Sequence, residues 1–265
     1  MNGLDLFTGI GGITLALGDY VNPIAYCEID KYCQSVLLQR MQEGDLPEAP
    51  IWDDIRTLPI EELPGIDIIY GGFPCQDISV AGAQKGLEGE RSGLFFEILR
   101  LIDETKAPFI FLENVPNIRT KGAERVCKEL AERGYDCRWC NISARDVGAR
   151  HKRERWFLLG HSKHDGLDAT KEQGSSRPTV CNDKERENET SESKGADTPR
   201  VLADTSSERV QKTYSYLSHP YRWTVEPDVG RMVNGLPHRV DRIKALGNSV
   251  YPPQVKKAFK ILMGI

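Results

Sequence analysis

The sequence predicts a doubly wound α/β domain built on a mostly parallel sheet, and three observations carry that expectation. Short apolar runs alternate with stretches of helical apolar spacing through the first 160 residues. Glycines follow directly on the first apolar run, where a strand would turn into a helix. A chain of 265 residues, 39% hydrophobic and 28% charged, can also bury such a core without disulfides or metal.

Taken in order, Leu4-Asp5-Leu6-Phe7 reads as the first strand, and Ile13 to Leu17 as the helix after the glycine turn. Pro23 to Cys27 is a second strand, and Tyr32 to Met41 carries apolar residues at helical spacing. Ile66 to Tyr70 forms a third strand, Leu94 to Ile102 a helix, and Phe109 to Leu112 a fourth strand. A helix from Ala123 to Arg133 and a strand from Arg155 to Leu159 close the series. Ser162 to Thr213 is polar, with Val201-Leu202 its one adjacent aliphatic pair, and reads as a long loop or disordered insertion. Aromatics return from Tyr214, and Val255 to Met263 has the spacing of a closing helix. In a doubly wound sheet, ligands bind beyond the carboxyl ends of the strands. Every candidate for chemistry is accordingly expected just after a strand.

Composition sets outer limits. No run reaches the length of a membrane span, and Met1 to Asp5 lacks the start of a signal peptide, so a cytoplasmic location and no membrane contact are expected. Seven cysteines at irregular spacing fit a reducing compartment. The formal charge of −4 is unevenly spread: residues 1–113 hold 7 basic and 19 acidic side chains, residues 114–160 hold 11 and 6. An acidic body with a basic face can still hold a polyanion.

The chemistry is concentrated in a few turns. Phe7-Thr8-Gly9-Ile10-Gly11-Gly12 lets the backbone approach a ligand closely, though it is not the dinucleotide fingerprint. Glu28, just past the second strand, is placed to accept ribose hydroxyls, which suggests a nucleoside-bearing cofactor. Gly71-Gly72-Phe73-Pro74-Cys75-Gln76 presents a cysteine at a strand end on a stiff turn. An ordinary thiol, with a pKa of about 8.5, needs a nearby cation or helix N-terminus to act as a nucleophile. The loop from Asp77 to Gly93 contains Gly82, Gly86 and Gly89 and could close as a lid. The fourth strand delivers Glu113-Asn114-Val115. A protonated carboxyl beside a thiol suits addition to carbon 6 of cytosine, with the proton going to N3 and carbon 5 becoming nucleophilic. Cys137-x-x-Cys140, with Trp139 between, lacks two further ligands at zinc spacing and reads as strand; no metal site is expected.

At Cys75 and Glu113 the chain resembles the C5-cytosine-specific DNA methyltransferases. The matching residues are the Phe7-x-Gly9-x-Gly11 turn, Glu28, Asp54-Ile55, Gly71 to Gln76, Glu113-Asn114-Val115, Arg153-x-Arg155 and Leu246-Gly247-Asn248-Ser249-Val250. They stand in the family's order and cover residues 1–160 and 235–265. The resemblance implies S-adenosylmethionine held by Phe7, Gly9, Gly11, Glu28, Asp54, Ile55, Asn248 and Val250. It also implies Cys75 as nucleophile, Glu113 as the N3 partner, and Arg153 and Arg155 fixing the base and ordering the pocket.

By the same resemblance, residues 1–160 form the catalytic and cofactor-binding domain. Residues 161–234 form a variable target-recognition segment, and residues 235–265 return to the catalytic domain. The implied partner of this monomer is duplex DNA, with a target base flipped from the helix; a cognate restriction endonuclease, where one exists, acts separately. Two alternatives stand beside this reading: cytosine-C5 methylation of tRNA, and a non-catalytic DNA-binding module of the same fold. The chain departs from the family in two places. His151 takes the position of a glutamine before the paired arginines, and Trp223-Thr224-Val225-Glu226-Pro227, Arg231 and Gly235 to Arg242 stand where a Leu-Thr-x-x-Glu stretch is usual.

Overall fold

The structure, a computed structural model, describes residues 1–74, 93–162 and 239–265. Cys75, the glycine-rich loop from Asp77, and almost all of the expected recognition segment, including Trp223 to Arg231, lie outside the described residues. Every described element belongs to one unit, made of Met1–Val180 and Gly235–Ile265.

Among the described residues there are seven strands: β1 (Asn2–Leu6), β2 (Asn22–Cys27), β3 (Ile51–Trp52), β4 (Ile68–Gly72), β5 (Phe109–Asn114), β6 (Tyr135–Ser143) and β7 (Glu154–Ser162). The helices are α1 (Gly12–Leu17), α2 (Lys31–Gln42), α3 (Gly93–Thr105), α4 (Ile118–Lys121), α5 (Ala123–Glu132), α6 (Arg239–Asn248) and α7 (Pro252–Met263). The strands form one sheet in the order β3-β2-β1-β4-β5-β7-β6. β1 to β5 pair in parallel, while β7 runs antiparallel to both its neighbours. The mostly parallel, doubly wound sheet is therefore present.

Two details differ from expectation. β6 is a full nine-residue strand where only Cys137 to Cys140 read as strand. The last strand, expected to continue the parallel series, reverses. The cause is local: β6 and β7 are joined by the short stretch 144–153 with no crossover helix, and such a connection can only make an antiparallel pair. The reversal brings the start of β7, rather than its end, to the edge of the sheet where β4 and β5 finish.

Each face of the sheet is buried. Leu4, Leu6, Ile69, Ile110, Leu112 and Trp156 pack with Phe95, Ile98 and Leu99 of α3 and with Val126 and Leu130 of α5. On the opposite face Ile68, Tyr70, Phe111, Phe157 and Leu159 meet Ile13 and Leu17 of α1 and Val255, Phe259 and Leu262 of α7. Strands covered on both faces read as continuous apolar runs, as Phe109 to Leu112 and Trp156 to Leu159 do. Glycine is required where strands crowd: a Cβ on Gly71 would lie 2.0 Å from the Leu6 carbonyl oxygen on β1. Among the described residues, no helix is long and apolar enough to cross a membrane.

Candidate active site

The site begins where β1 runs into its glycine turn. Phe7, Gly9 and Gly11 all adopt left-handed backbone, with φ of 53, 58 and 81°. Gly9 and Gly11 tolerate this freely, and Phe7 is a non-glycine residue held in a costly conformation. The Thr8 amide donates to the Cys27 carbonyl, which fixes the turn against the end of β2. Glu28 lies just past that end and is buried. One of its oxygens accepts the Gly9 amide at 2.7 Å, and the other accepts the Asp30 amide at 2.8 Å. Each carboxylate oxygen keeps a second acceptor position.

Asp54 caps the 3₁₀ turn Ile55–Thr57, accepting the Arg56 amide at 3.0 Å; that amide and the Arg56 guanidinium hold its carboxyl below the usual range. Ile55 is buried in the core beneath it. Val250, after α6, packs so closely on Gly12 that a Cβ there would sit 2.9 Å from the valine methyl. Asn248, the last residue of α6, is exposed. These residues fit a nucleoside-bearing group. The buried Glu28 carboxylate has acceptor capacity to spare, and Gly9 has nothing within 4 Å of the position its Cβ would take.

Glu113 lies at the end of β5, 8% exposed. It pairs across the ladder with Phe157, so Arg155, two residues earlier on β7, projects from the same face. The Arg155 Nε lies 2.8 Å from the Glu113 carboxylate. Burial pushes the Glu113 carboxyl up and the Arg155 and Arg153 charges pull it part of the way back, leaving it at about 7. Burial therefore outweighs the ion pair. A Cβ on Gly72, at the end of β4, would lie 2.7 Å from the second carboxylate oxygen, so the glycine leaves room for Glu113.

Arg153 occupies another strained position, with φ of 25°. Its guanidinium donates to the Gly247 carbonyl at 2.9 Å and also to the Ser249 carbonyl, tying the start of β7 to the end of α6 and the residue that follows it. His151 is exposed, with its ring edge-on to Tyr251 at 5.9 Å between centroids.

Two expectations about placement are corrected. Arg153 and Arg155 precede and begin β7, as a strand starting at Arg155 implies, rather than follow a strand, and the reversal of β7 brings them to the edge where β4 and β5 finish. Asn248 ends a helix, not a strand. Cys137 and Cys140 do lie on a strand, but on opposite faces: Cys137 packs with Cys127 of α5 against one core, and Cys140 belongs to the other.

Sequence reasoning assigned no task to three residues that matter here. Asn114 donates to the Phe73 carbonyl at 2.9 Å, holding the backbone two residues before Cys75. Asp5, 1% exposed, accepts the Thr14 hydroxyl, which in turn meets the Tyr70 hydroxyl at 2.8 Å under the glycine turn. Gln254 is fully buried within the apolar stripe Val255, Ala258, Phe259 and Leu262. A polar residue inside such a stripe was the legible signal for it.

The comparisons with known proteins agree with this geometry. Among curated proteins, the chain is 36% identical over 162 residues to the type II methyltransferase M.CviJI of Paramecium bursaria Chlorella virus IL3A, covering 60% of this chain and 43% of that one. It is 37% identical over 161 residues to M.HhaI of Haemophilus parahaemolyticus, covering 59% and 47%. The chain thus spans about half the length of the curated relatives it matches. Among solved structures, a Spodoptera frugiperda DNMT2 mutant shares the fold with a TM-score of 0.62 at 16% identity, over 99% of both chains. The family described as C-5 cytosine-specific DNA methylase matches residues 1–230, more than half the chain. With the strand order, the glycine turn and the buried Glu113 in agreement, the chain belongs to the C-5 cytosine-specific DNA methylase family.

Proposed function

We propose that the chain methylates carbon 5 of cytosine in duplex DNA, with S-adenosylmethionine as methyl donor and Cys75 bonded transiently to carbon 6. The observation that carries this reading is Glu113: a buried carboxyl at about 7, paired with Arg155 at the carboxyl edge of the sheet. Near neutral pH such a group is both protonated and ionised in comparable amounts, as a group that lends and recovers a proton must be. Cys75 follows Pro74 in the chain, and Asn114 fixes the backbone at Phe73.

In this reading Glu113 gives its proton to N3 of the cytosine. The ring becomes electron-poor and the Cys75 thiolate adds at carbon 6. The electron pair moves to carbon 5, which takes the methyl group. Water then takes the carbon 5 proton, the freed electron pair expels the thiolate from carbon 6, and the N3 proton returns to Glu113. Arg155 orients the Glu113 carboxyl, and Arg153 closes the same wall. S-adenosylmethionine, when bound, supplies an electrophilic methyl group. Phe7, Gly9, Gly11, Glu28, Asp54, Ile55, Asn248 and Val250 would hold it, with Glu28 accepting ribose hydroxyls. A base inside a duplex cannot reach such a pocket, so the target is turned out of the helix. Residues 161–234 are the part of the chain assigned to reading the DNA sequence, since the cofactor and reaction groups all lie elsewhere.

The test uses 5-fluorocytosine in a duplex substrate. Fluorine at carbon 5 blocks the elimination, so the protein should stay bonded to methylated DNA through Cys75 and survive denaturing electrophoresis. The band should need S-adenosylmethionine and vanish in Cys75→Ala. A band that persists in that variant would assign the nucleophile elsewhere. Transfer to tRNA but not to duplex DNA would replace the substrate.

A further inference from the structure

We propose that Gln254 is a positioning residue: by holding the backbone of Arg153 at the start of β7, it keeps Arg155, two residues on, against Glu113. Its side-chain amide nitrogen donates to two backbone carbonyls at once, Ile142 on β6 at 2.5 Å and Arg153 at 2.8 Å. Those carbonyls lie on either side of the connection between β6 and β7, so one buried amide clamps both ends of the hairpin link. The clamp is needed because Arg153 stands in left-handed backbone, where a side-chain-bearing residue persists only if its surroundings over-determine it.

The Arg153 guanidinium makes a second fastening, to Gly247 and Ser249 ahead of α7. Gln254 sits in the first turn of α7. The same short piece of chain therefore grips Arg153 by its carbonyl and by its side chain. The Gln254 amide oxygen is buried without a hydrogen-bond partner, so the side chain is engaged through its amide donors alone. Gln254 touches no group that would react. It acts through the start of β7, where the Arg155 Nε lies 2.8 Å from the Glu113 carboxylate and lowers its pKa by its charge.

The test separates hydrogen bonding from packing with two variants of the full chain. Gln254→Met keeps the length and volume but loses both donors. Gln254→Asn keeps the donors but is one carbon shorter and leaves a void. If Gln254 only fills space, the Met variant should resemble the wild type and the Asn variant should be worse. If it positions Arg153, the order inverts. Titration of 13C-labelled glutamate by NMR reads this without any turnover. Freed from its clamp, the backbone at Arg153 relaxes out of its strained conformation, Arg155 shifts away from Glu113, and the Glu113 midpoint rises in Gln254→Met and less in Gln254→Asn.

In the rate arm, which alone rests on the proposed cytosine methylation, kcat should fall ~10–100-fold in Gln254→Met, as for a small misplacement of a reacting group. KM for S-adenosylmethionine should hardly change. An unshifted Glu113 midpoint in folded Gln254→Met overturns the proposal. If Gln254→Met does not fold, a smaller midpoint rise and a smaller loss of rate in Gln254→Asn than in Gln254→Ala support the clamp, and changes equal to those of Gln254→Ala overturn it. A shifted midpoint in a protein whose wild type methylates no cytosine keeps the clamp and discards the function.

Discussion

At the scale of single residues, the two buried carboxyls show how burial and partners divide the work. Glu113 has a strong partner in Arg155 and still lies at about 7. Its protonated form is the donor in the proposed reaction, so methyl transfer should decline as pH rises through about 7. Glu113→Gln preserves the shape and removes the transferable proton. The rate should drop ~10²–10⁴-fold, the usual weight of general acid–base catalysis, while cofactor affinity measured by calorimetry stays level. Asp5 has only hydroxyl company, and burial pushes it from 3.8 up to about 8. Its folded-state pKa is raised, so the stability it contributes is fully present below 3.8 and is lost as pH rises toward about 8. The slope can reach ~1.4 kcal/mol per pH unit. Asp5→Asn stays neutral, so urea melts should show the variant gaining on the wild type from mildly acidic to mildly basic pH. A difference that is constant with pH would mean that Asp5 folds as a carboxylate.

At the scale of elements, adjacent glycines on β4 serve different ends. Gly71 lets β1 and β4 approach, since its missing Cβ would meet backbone at 2.0 Å. Backbone cannot step aside cheaply, and Gly71→Ala should lower stability by ~1–3 kcal/mol or more in chemical denaturation. Gly72 faces the tip of Glu113, a side chain that can move. Gly72→Ala should fold with nearly wild-type stability yet lose ~10²-fold in methyl transfer, because the displaced carboxyl leaves its productive position. Equal loss of stability in both variants would show that the two strands share one constraint. The Gly-Gly-Phe-Pro-Cys run was legible as a stiff turn, but the division of labour between its glycines was not. It depends on β1 and β5, which lie tens of residues away in the chain.

At the scale of the molecule, the residues proposed for the cofactor and the reaction all lie outside 163–222. His161 and Ser162 end β7, so replacing only residues 163–222 with a short Gly/Ser linker should abolish site-specific methylation and leave S-adenosylmethionine binding nearly intact. Calorimetry checks the second outcome, and sequencing of methylated cytosines in an expressing host checks the first. Loss of cofactor affinity in a folded variant would show that the proposed division of the chain is wrong. The stretch carrying Arg153 and Arg155 is basic, whereas the first 113 residues are strongly acidic. Binding to DNA through phosphates should weaken steeply with added salt.

By itself the sequence determined the alternation of strands and helices, the glycine turn after β1, and which residue types could do the chemistry. Those features are local: apolar spacing, glycine punctuation and short motifs are written in neighbouring residues. The tertiary structure alone decided that β7 runs backward, and with it that Arg155 reaches Glu113 across the ladder. It also decided that Gln254 grips Arg153 and that Asn114 holds Phe73. Each depends on groups far apart in the chain being brought within hydrogen-bond reach, and the pKa of Glu113 depends on how completely the folded body excludes water from it. Sequence spacing carries neither quantity, because pairing distance and burial exist only once the sheet has closed over its two cores.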